Sequence, residues 1–298
     1  MGATATGKSD LAIRLAEEFG GEIISMDSRQ VYRGFDIGTG KVSLADRRRV
    51  THHLVDILDP HETSSAGSHL ARADAVWGDV TGKGRTGFFV GGSGLYFRVL
   101  FRGIIEAPVS ETEQKALRKD LSAAPTDELY EFLIGIDPER AETLSPRDRV
   151  RILRAIEIRQ LTGTSHSDLI ASQRGRRNWQ GLKIVLTLPR PLLRERITQR
   201  TREMYERGWV DEVRSLLARG VGRDAPAMGS LGYAVIARAI LDGADPFSTL
   251  QTVVTLTHQY AKRQETFFRS ERDAHWIDVS TPSAALEARR LVARHVGL

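Results

Sequence analysis

The chain has 298 residues, 41% of them hydrophobic and 27% charged, which suits one large or two smaller globular domains and excludes a disordered or fibrous polymer. It contains no cysteine, so disulfides, Cys–zinc sites and thiol nucleophiles are ruled out. The formal charge of +5 is unevenly placed: residues 1–180 sum to zero, residues 181–298 carry all of it, and only seven of the 43 basic residues are Lys, leaving mostly forked guanidinium groups suited to phosphate. No run approaches the ~20 apolar residues of a membrane span. The opening Met1-Gly2-Ala3-Thr4 has neither the basic start nor the apolar run of a secretory signal, and a cytoplasmic setting is expected.

In chain order, Gly2-Ala3-Thr4-Ala5-Thr6-Gly7-Lys8-Ser9 matches G-x-x-x-x-G-K-[ST] at each fixed position. Leu11, Ile13, Leu15, Ala16 and Phe19 follow near helical spacing until Gly20-Gly21 stops them, so a helix opens where the motif needs one. Four short apolar runs are predicted as buried strands: Glu22–Met26, Gly87–Val90, Lys183–Leu188 and Ala274–Val279. The second ends in Gly91-Gly92-Ser93-Gly94 and feeds an apolar helix from Leu95, and the third follows the basic stretch Arg174-Gly175-Arg176-Arg177. Between them, Ser110 to Gly163 alternates charged and apolar positions at helical spacing, punctuated by Pro125, Pro138 and Pro146.

Short strands separated by long helical segments predict an α/β fold: a P-loop-type parallel sheet core flanked by helices, with a helical insertion domain. Residues 1–108 and 179–298 form the core, and 109–178 the insertion. One part is missing. A phosphate loop normally follows a buried strand, and only Met1 precedes Gly2, so the natural chain is expected to begin some residues earlier.

The spacing of the loop serves its chemistry. Glycines let backbone N–H groups wrap a phosphate, Lys8 adds a point charge, the Ser9 hydroxyl can hold Mg²⁺, and the helix presents its positive end. Gly2, Ala3, Thr4, Ala5, Thr6, Gly7, Lys8 and Ser9 are thus candidates to bind a di- or triphosphate group. Kinases, GTPases and ATPases share such a loop, though no Asn-Lys-x-Asp guanine reader is present. Asp27 to Lys41 is a polar, glycine-punctuated loop at the C-terminal edge of a strand, where ligands of open α/β sheets sit. It reads as a site for a polar substrate beside the phosphate cradle.

Other clusters have plainer readings. His52, His53, His61 and His69 lack the i,i+4 pair that would seat a zinc ion on a helix, and His52-His53 is expected to order a loop near the site. Arg149, Arg151, Arg154 and Glu157 lie at the spacing of helical salt bridges and predict a structural or swivel helix. Met204, Trp209, Val213 and Leu216 read as the core face of one amphipathic helix.

The sequence resembles the tRNA dimethylallyltransferases, also called tRNA isopentenyltransferases, nearly end to end. The likeness rests on the phosphate loop, Asp27-Ser28-Arg29-Gln30-Val31-Tyr32-Arg33, Asp36-Ile37-Gly38-Thr39, His52-His53-Leu54 and Gly91-Gly92-Ser93-Gly94-Leu95-Tyr96. It continues through Asp148-Arg149 with Arg151–Glu157, Gly232-Tyr233, and Tyr260-Ala261-Lys262-Arg263-Gln264. Ser93 stands where the family commonly has Thr, Gly40 and Val42 where it has Ala and Pro, and His258 where it has Arg.

The resemblance implies transfer of a dimethylallyl group from dimethylallyl diphosphate to the exocyclic amine of the adenosine 3′ of the anticodon. Asp27 would be the base, with Arg200 and Thr6 as further catalytic groups, and Arg200 would join the loop in holding diphosphate. Asp27, Ser28, Arg29, Gln30, Arg33, Thr39, Ser93, Lys262, Arg263 and Gln264 would contact tRNA. The basic run Lys262, Arg263 and Arg269, interleaved with Tyr260, Phe267 and Phe268, suits RNA phosphates and bases, although Phe267 or Phe268 is expected to be partly packing. The implied partners are the tRNA anticodon stem-loop, which the insertion faces, and dimethylallyl diphosphate with Mg²⁺, on a monomer without membrane attachment. Competing readings are prenyl transfer to free adenine nucleotide, a small-molecule kinase, and an RNA-binding protein with an inactive loop.

Overall fold

The computed structural model describes residues 1–103, 110–173, 181–271 and 273–298. The chain divides into two compact units, Met1–Leu100 with Gln180–Leu298, and Phe101–Trp179. The domain boundaries expected at 108/109 and 178/179, and the basic stretch Arg174-Gly175-Arg176-Arg177, lie outside the described residues. In chain order the elements are α1 (Lys8–Glu18), β1 (Gly21–Ser25), α2 (Leu44–Arg49), β2 (His52–His53), α3 (Ala66–Gly82), β3 (Thr86–Val90) and α4 (Gly94–Arg102). Then come α5 (Glu111–Leu121), α6 (Thr126–Ile136), α7 (Pro138–Glu142), α8 (Arg149–Thr162) and α9 (His166–Gln173). The chain continues through β4 (Ile184–Thr187), α10 (Arg190–Glu206), α11 (Trp209–Ala218), α12 (Tyr233–Leu241), α13 (Leu250–Phe268), β5 (His275–Asp278) and α14 (Ala284–Val296).

All strand pairs are parallel, in the orders β2-β1-β3 and β4-β5. The reason lies in neighbouring residues of β1. Ile23 packs with Ala12, Ile13 and Ala16 of α1, while Ile24 turns to the opposite face against Ala73 of α3. A strand buried on both faces needs a helix on each side, and the βαβ connections supply them. The four runs predicted as strands form β1, β3, β4 and β5 with ends shifted by a residue or two. The two-residue β2, by contrast, was read as loop. Its pairing of His52 with Ile23 and His53 with Ile24 is set by register against β1, not by its own apolar pattern.

Met1 and Gly2 lie parallel to β4. The Met1 amine donates to Ile184 O at 2.8 Å, Leu186 N donates to Met1 O at 2.9 Å, and Gly2 bridges Leu186. Leu11 and Leu15 of α1 then meet Leu186, Ile277, Ala288 and Val292, which fastens β4, β5 and α14 to the phosphate-loop helix. The face predicted as one helix over Met204, Trp209, Val213 and Leu216 is core throughout, but two helices share it. Gly208, at φ 93°, breaks α10 from α11 in a left-handed turn that a residue with a Cβ adopts only under strain.

The described elements of the unit Phe101–Trp179 are all helices joined by short turns, with Pro138 opening α7 at a position where a missing N–H costs nothing. Leu129, Leu133, Ala141, Leu144, Ile152, Ala155 and Ile156 form its core. Glu157 is a buried carboxylate beside this core, 0% exposed. The expected i,i+3 pair with Arg154 is present but long, 3.5 Å. The stronger partners come from α5: Arg118 through Nε and, at 3.2 Å, Nη2, with Gln114 Nε2 at 2.8 Å. Arg149 meanwhile donates to the carbonyls of Leu121, Ser122 and Ala124 and caps the end of α5. Glu157→Ala strands Gln114 and both arginines. We expect it to lower stability by about 1–3 kcal/mol, measured as a shift in urea midpoint; an unchanged midpoint would show that the cluster contributes nothing.

Candidate functional site

The phosphate loop joins Gly2 to the start of α1. Gly7 serves as N-cap at φ 80°, Gly2 lies at φ 145°, and Ala5 is held at φ 63°, a conformation uncommon for a residue with a Cβ and typical of ligand-binding turns. The Ala3 carbonyl gathers the loop. It accepts the Thr6 hydroxyl at 2.9 Å and the Lys8 amine at 2.5 Å. Thr6, expected among the catalytic groups, is 1% exposed with its hydroxyl committed to that carbonyl, so it shapes the loop from within and does not line the cleft. Gly2 and Ala3 are likewise buried beneath it, while Thr4, Ala5, Lys8 and Ser9 face the open space.

That space is a cleft of about 480 Å³, walled by the phosphate loop, the ends of β1 and β3, the Asp27–Val42 loop, α10 and α13. The structure brings into it Asp27, Ser28, Arg29, Gln30, Thr39, Arg200, Arg263 and Gln264 of the expected site residues, together with His52. Asp27 follows β1, where β1 and β3 diverge. One carboxylate oxygen accepts the Arg29 and Gln30 amides at 2.8 and 3.3 Å and makes the turn; the other has no hydrogen-bond partner among the described residues. Ser28 N donates to Ser93 Oγ at 3.2 Å, so Ser93 links the β3–α4 loop to the Asp27 loop. Arg200 reaches in from α10 and donates to Thr4 Oγ1 at 3.1 Å. A Cβ at position 40 would strike its guanidinium, which explains why Gly40 suits this chain.

Other expected contacts have different employments. Gln264 is 6% exposed. It accepts Thr4 N at 2.8 Å and donates to Gly92 O at 2.9 Å, so both ends of its amide brace the loop floor. Gln30 donates to the Thr39 and Gly40 carbonyls, and Thr39 Oγ1 to Phe35 O, which folds their own loop. Arg29 holds Pro226 O at 3.1 Å. Arg33 is exposed and bonds Ile57 O, and Lys262, Arg263 and Arg269 stand exposed along and beyond α13. Phe268 is core against Phe97, and Phe267 lies under Arg98, so both are packing residues.

Several supports were not singled out from sequence. Glu212 accepts the amides of Asp36 and Ile37 and the Tyr233 hydroxyl, which in turn accepts Gly38 N. The buried Lys41 amine bonds Asp36 at 2.7 Å, Tyr32 O, and Asp56, which also pairs with Arg47. The signal in Gly232-Tyr233 was visible; that in Glu212 was not, because a Glu on a helix usually faces water. Among the histidines, His53 bonds Glu22, His52 bonds Val50 O, and His69 is buried against Tyr96 with Nε2 on Ser25 O. Burial pushes His69 down to about 4, so it is neutral at pH 7.

The electrostatics of the cleft favour an anion. Burial, and then the neighbouring Arg200, depress the Lys8 amine to about 7, while Asp27 opposes the shift. Burial likewise lowers Arg200, with Asp27 again opposing. At pH 8 the free Lys8 amine is therefore mostly neutral, and a bound diphosphate restores its proton. We expect binding of an alkyl diphosphate at pH 8 to take up close to one proton, read by calorimetry in two buffers of different ionisation enthalpy; no uptake would mean that Lys8 is already charged. A second outcome separates bracing from RNA contact. Gln264→Leu should lower thermal stability and weaken the diphosphate donor while leaving tRNA affinity near wild type, and a selective loss of tRNA affinity would contradict the brace.

Comparison with known proteins adds to this geometry. Residues 30–271 match the family model described as IPP transferase, and residues 1–54 that described as isopentenyl transferase. The chain is 45% identical over 279 residues to a tRNA dimethylallyltransferase of Myxococcus xanthus, and 44% identical over 282 residues to tRNA dimethylallyltransferase 1 of Citrifermentans bemidjiense. Each alignment covers 93% of this chain and 90% of the relative. The crystal structure of a tRNA isopentenylpyrophosphate transferase from Bacillus halodurans superposes with a TM-score of 0.72 at 32% identity, covering 99% of this chain and 95% of that one.

Proposed function

The chain belongs to the IPP transferase family, and from that premise we infer that it transfers the dimethylallyl group of dimethylallyl diphosphate to the exocyclic amine of the adenosine 3′ of the tRNA anticodon. The amine nitrogen attacks C1 of the donor, the C1–O bond breaks, its electron pair leaves with diphosphate, and the amine gives up one proton. The observation that carries the reading is a carboxylate with one unengaged oxygen, Asp27, in the same cleft as the anion cradle of Thr4, Lys8 and Arg200.

Asp27 accepts the proton. An aromatic amine is a weak nucleophile, so a positioned base contributes ~10²–10⁴ in rate. Lys8 and Arg200, both already sensing the charge of Asp27, neutralise the departing diphosphate. Ser9 lines the cleft with its hydroxyl unpaired among the described residues, and no group of three acidic or imidazole side chains placed to hold a metal ion is present among them. This suits Mg²⁺ held by one hydroxyl and by substrate phosphate oxygens, where the ion would offset diphosphate charge.

The adenine must leave its stack to reach Asp27. Arg33, Lys262 and Arg263, all exposed, take the tRNA backbone, and Ser28, Arg29, Gln30, Thr39 and Ser93 form the acceptor side. The helical unit Phe101–Trp179 is assigned to the anticodon stem. No helix among the described residues is long and apolar enough to cross a membrane; action as a cytoplasmic monomer completes the proposal.

The test is Asp27→Asn. Asn keeps an oxygen for the Arg29 and Gln30 amides but cannot take the proton. Turnover should fall by ~10²–10⁴ with tRNA affinity near wild type. Equal losses in both would make Asp27 a turn-forming residue and contradict its role as base.

A further inference from the structure

Part of the cleft's lining is apolar, and some of it is carried by the same helix that supplies Arg200. Met204 lies one turn further along α10, on the same face, and the chain then breaks at Gly208 and presents Trp209 at the head of α11. Ile197, Met204, Trp209 and Leu231 all line the cleft. A donor whose diphosphate is held at Arg200 therefore has apolar surface beside it for its hydrocarbon part. One turn of helix, about 5.4 Å of rise, separates Arg200 from Met204 along α10.

Trp209 is 1% exposed. Its ring meets Tyr205 and Tyr233 edge-on, at centroid distances of 5.5 and 5.4 Å. Gly38 and Gly232 sit against the ring where any Cβ would collide with it. The indole N–H has no acceptor among the described residues, so shape and not hydrogen bonding fixes the ring. Two glycines without side chains and two flanking tyrosines are the features of a site built around one bulky group.

We propose that Trp209 closes the prenyl end of the cleft and limits the donor to one isoprene unit, making it a specificity-determining residue. The proposal rests on the transfer reaction inferred above and adds the reason for its chain length. A rigid wall discriminates by excluded volume. A ten-carbon donor must displace Trp209 or leave its second unit unburied, whereas a five-carbon donor need do neither.

The test compares dimethylallyl and geranyl diphosphate as donors to the same tRNA, using the full chain. For wild type, kcat/KM for the geranyl donor should be lower by at least ~10-fold. Trp209→Leu should raise the geranyl-to-dimethylallyl ratio by ~10–100-fold, and Trp209→Phe, which keeps a ring, by less. Circular dichroism establishes that each variant is folded; if the Leu variant is not, the Phe variant and the wild-type ratio decide. Equal use of the two donors by wild type, or an unchanged ratio in a folded variant, overturns the proposal. Failure of wild type to transfer either group to tRNA would instead overturn the underlying reaction.

Discussion

The site depends on a single amide. Gln264, carried on α13, accepts from Thr4 in the phosphate loop and donates to Gly92 after β3, two segments that approach only because parallel strands end on one edge. A Cβ at Gly92 would run into that amide. Because Gln264 is buried and doubly engaged, loss of either partner would leave a desolvated polar group, so the two loops and the helix are fixed as one body. The anion cradle and the base next to it are thereby held in register before any substrate arrives, which is what electrostatic stabilisation of a leaving diphosphate demands.

The acceptor side is rigid by a different device. The loop from Asp27 to Lys41 has little secondary structure, and its backbone groups are satisfied from outside: Glu212 and Tyr233 take the amides of residues 36–38, and buried Lys41 ties Asp36 to Asp56. Trp209 and the glycines facing it shape the same wall. The loop can thus expose Asp27 to a substrate while its own polar groups stay paired.

Much of this was legible in the amino-acid sequence. The β-branched and aromatic runs around Ile23-Ile24, Phe88-Phe89 and Ile184-Val185 announced strands because a strand packed between helices leaves an unbroken apolar signature. The phosphate loop declared itself because its chemistry fixes residue types at fixed spacing. What stayed hidden was long-range pairing. Gln264 looked like part of an RNA-facing basic run, since nothing local reveals that Thr4, 260 positions away, would claim it. Thr6 carried a hydroxyl in a catalytic motif, and only the turn geometry shows that hydroxyl directed to Ala3 O. Glu157 sat at the right interval from Arg154, yet its closer partner, Arg118, lies on a separate helix. Local spacing identifies which residues can meet within an element; the tertiary fold decides which partner wins.

The central claim is that the diphosphate seated on Lys8 and Arg200 belongs to an isoprenoid whose acceptor is an adenine of tRNA. The most direct measurement is mass spectrometry of nuclease-digested tRNA after incubation of the purified chain with dimethylallyl diphosphate, beside a parallel reaction containing AMP. The expected result is one adenosine, in the anticodon-loop fragment, heavier by a single dimethylallyl group, with AMP unaltered. Modification of AMP alone, or unaltered tRNA from a folded protein, would contradict it.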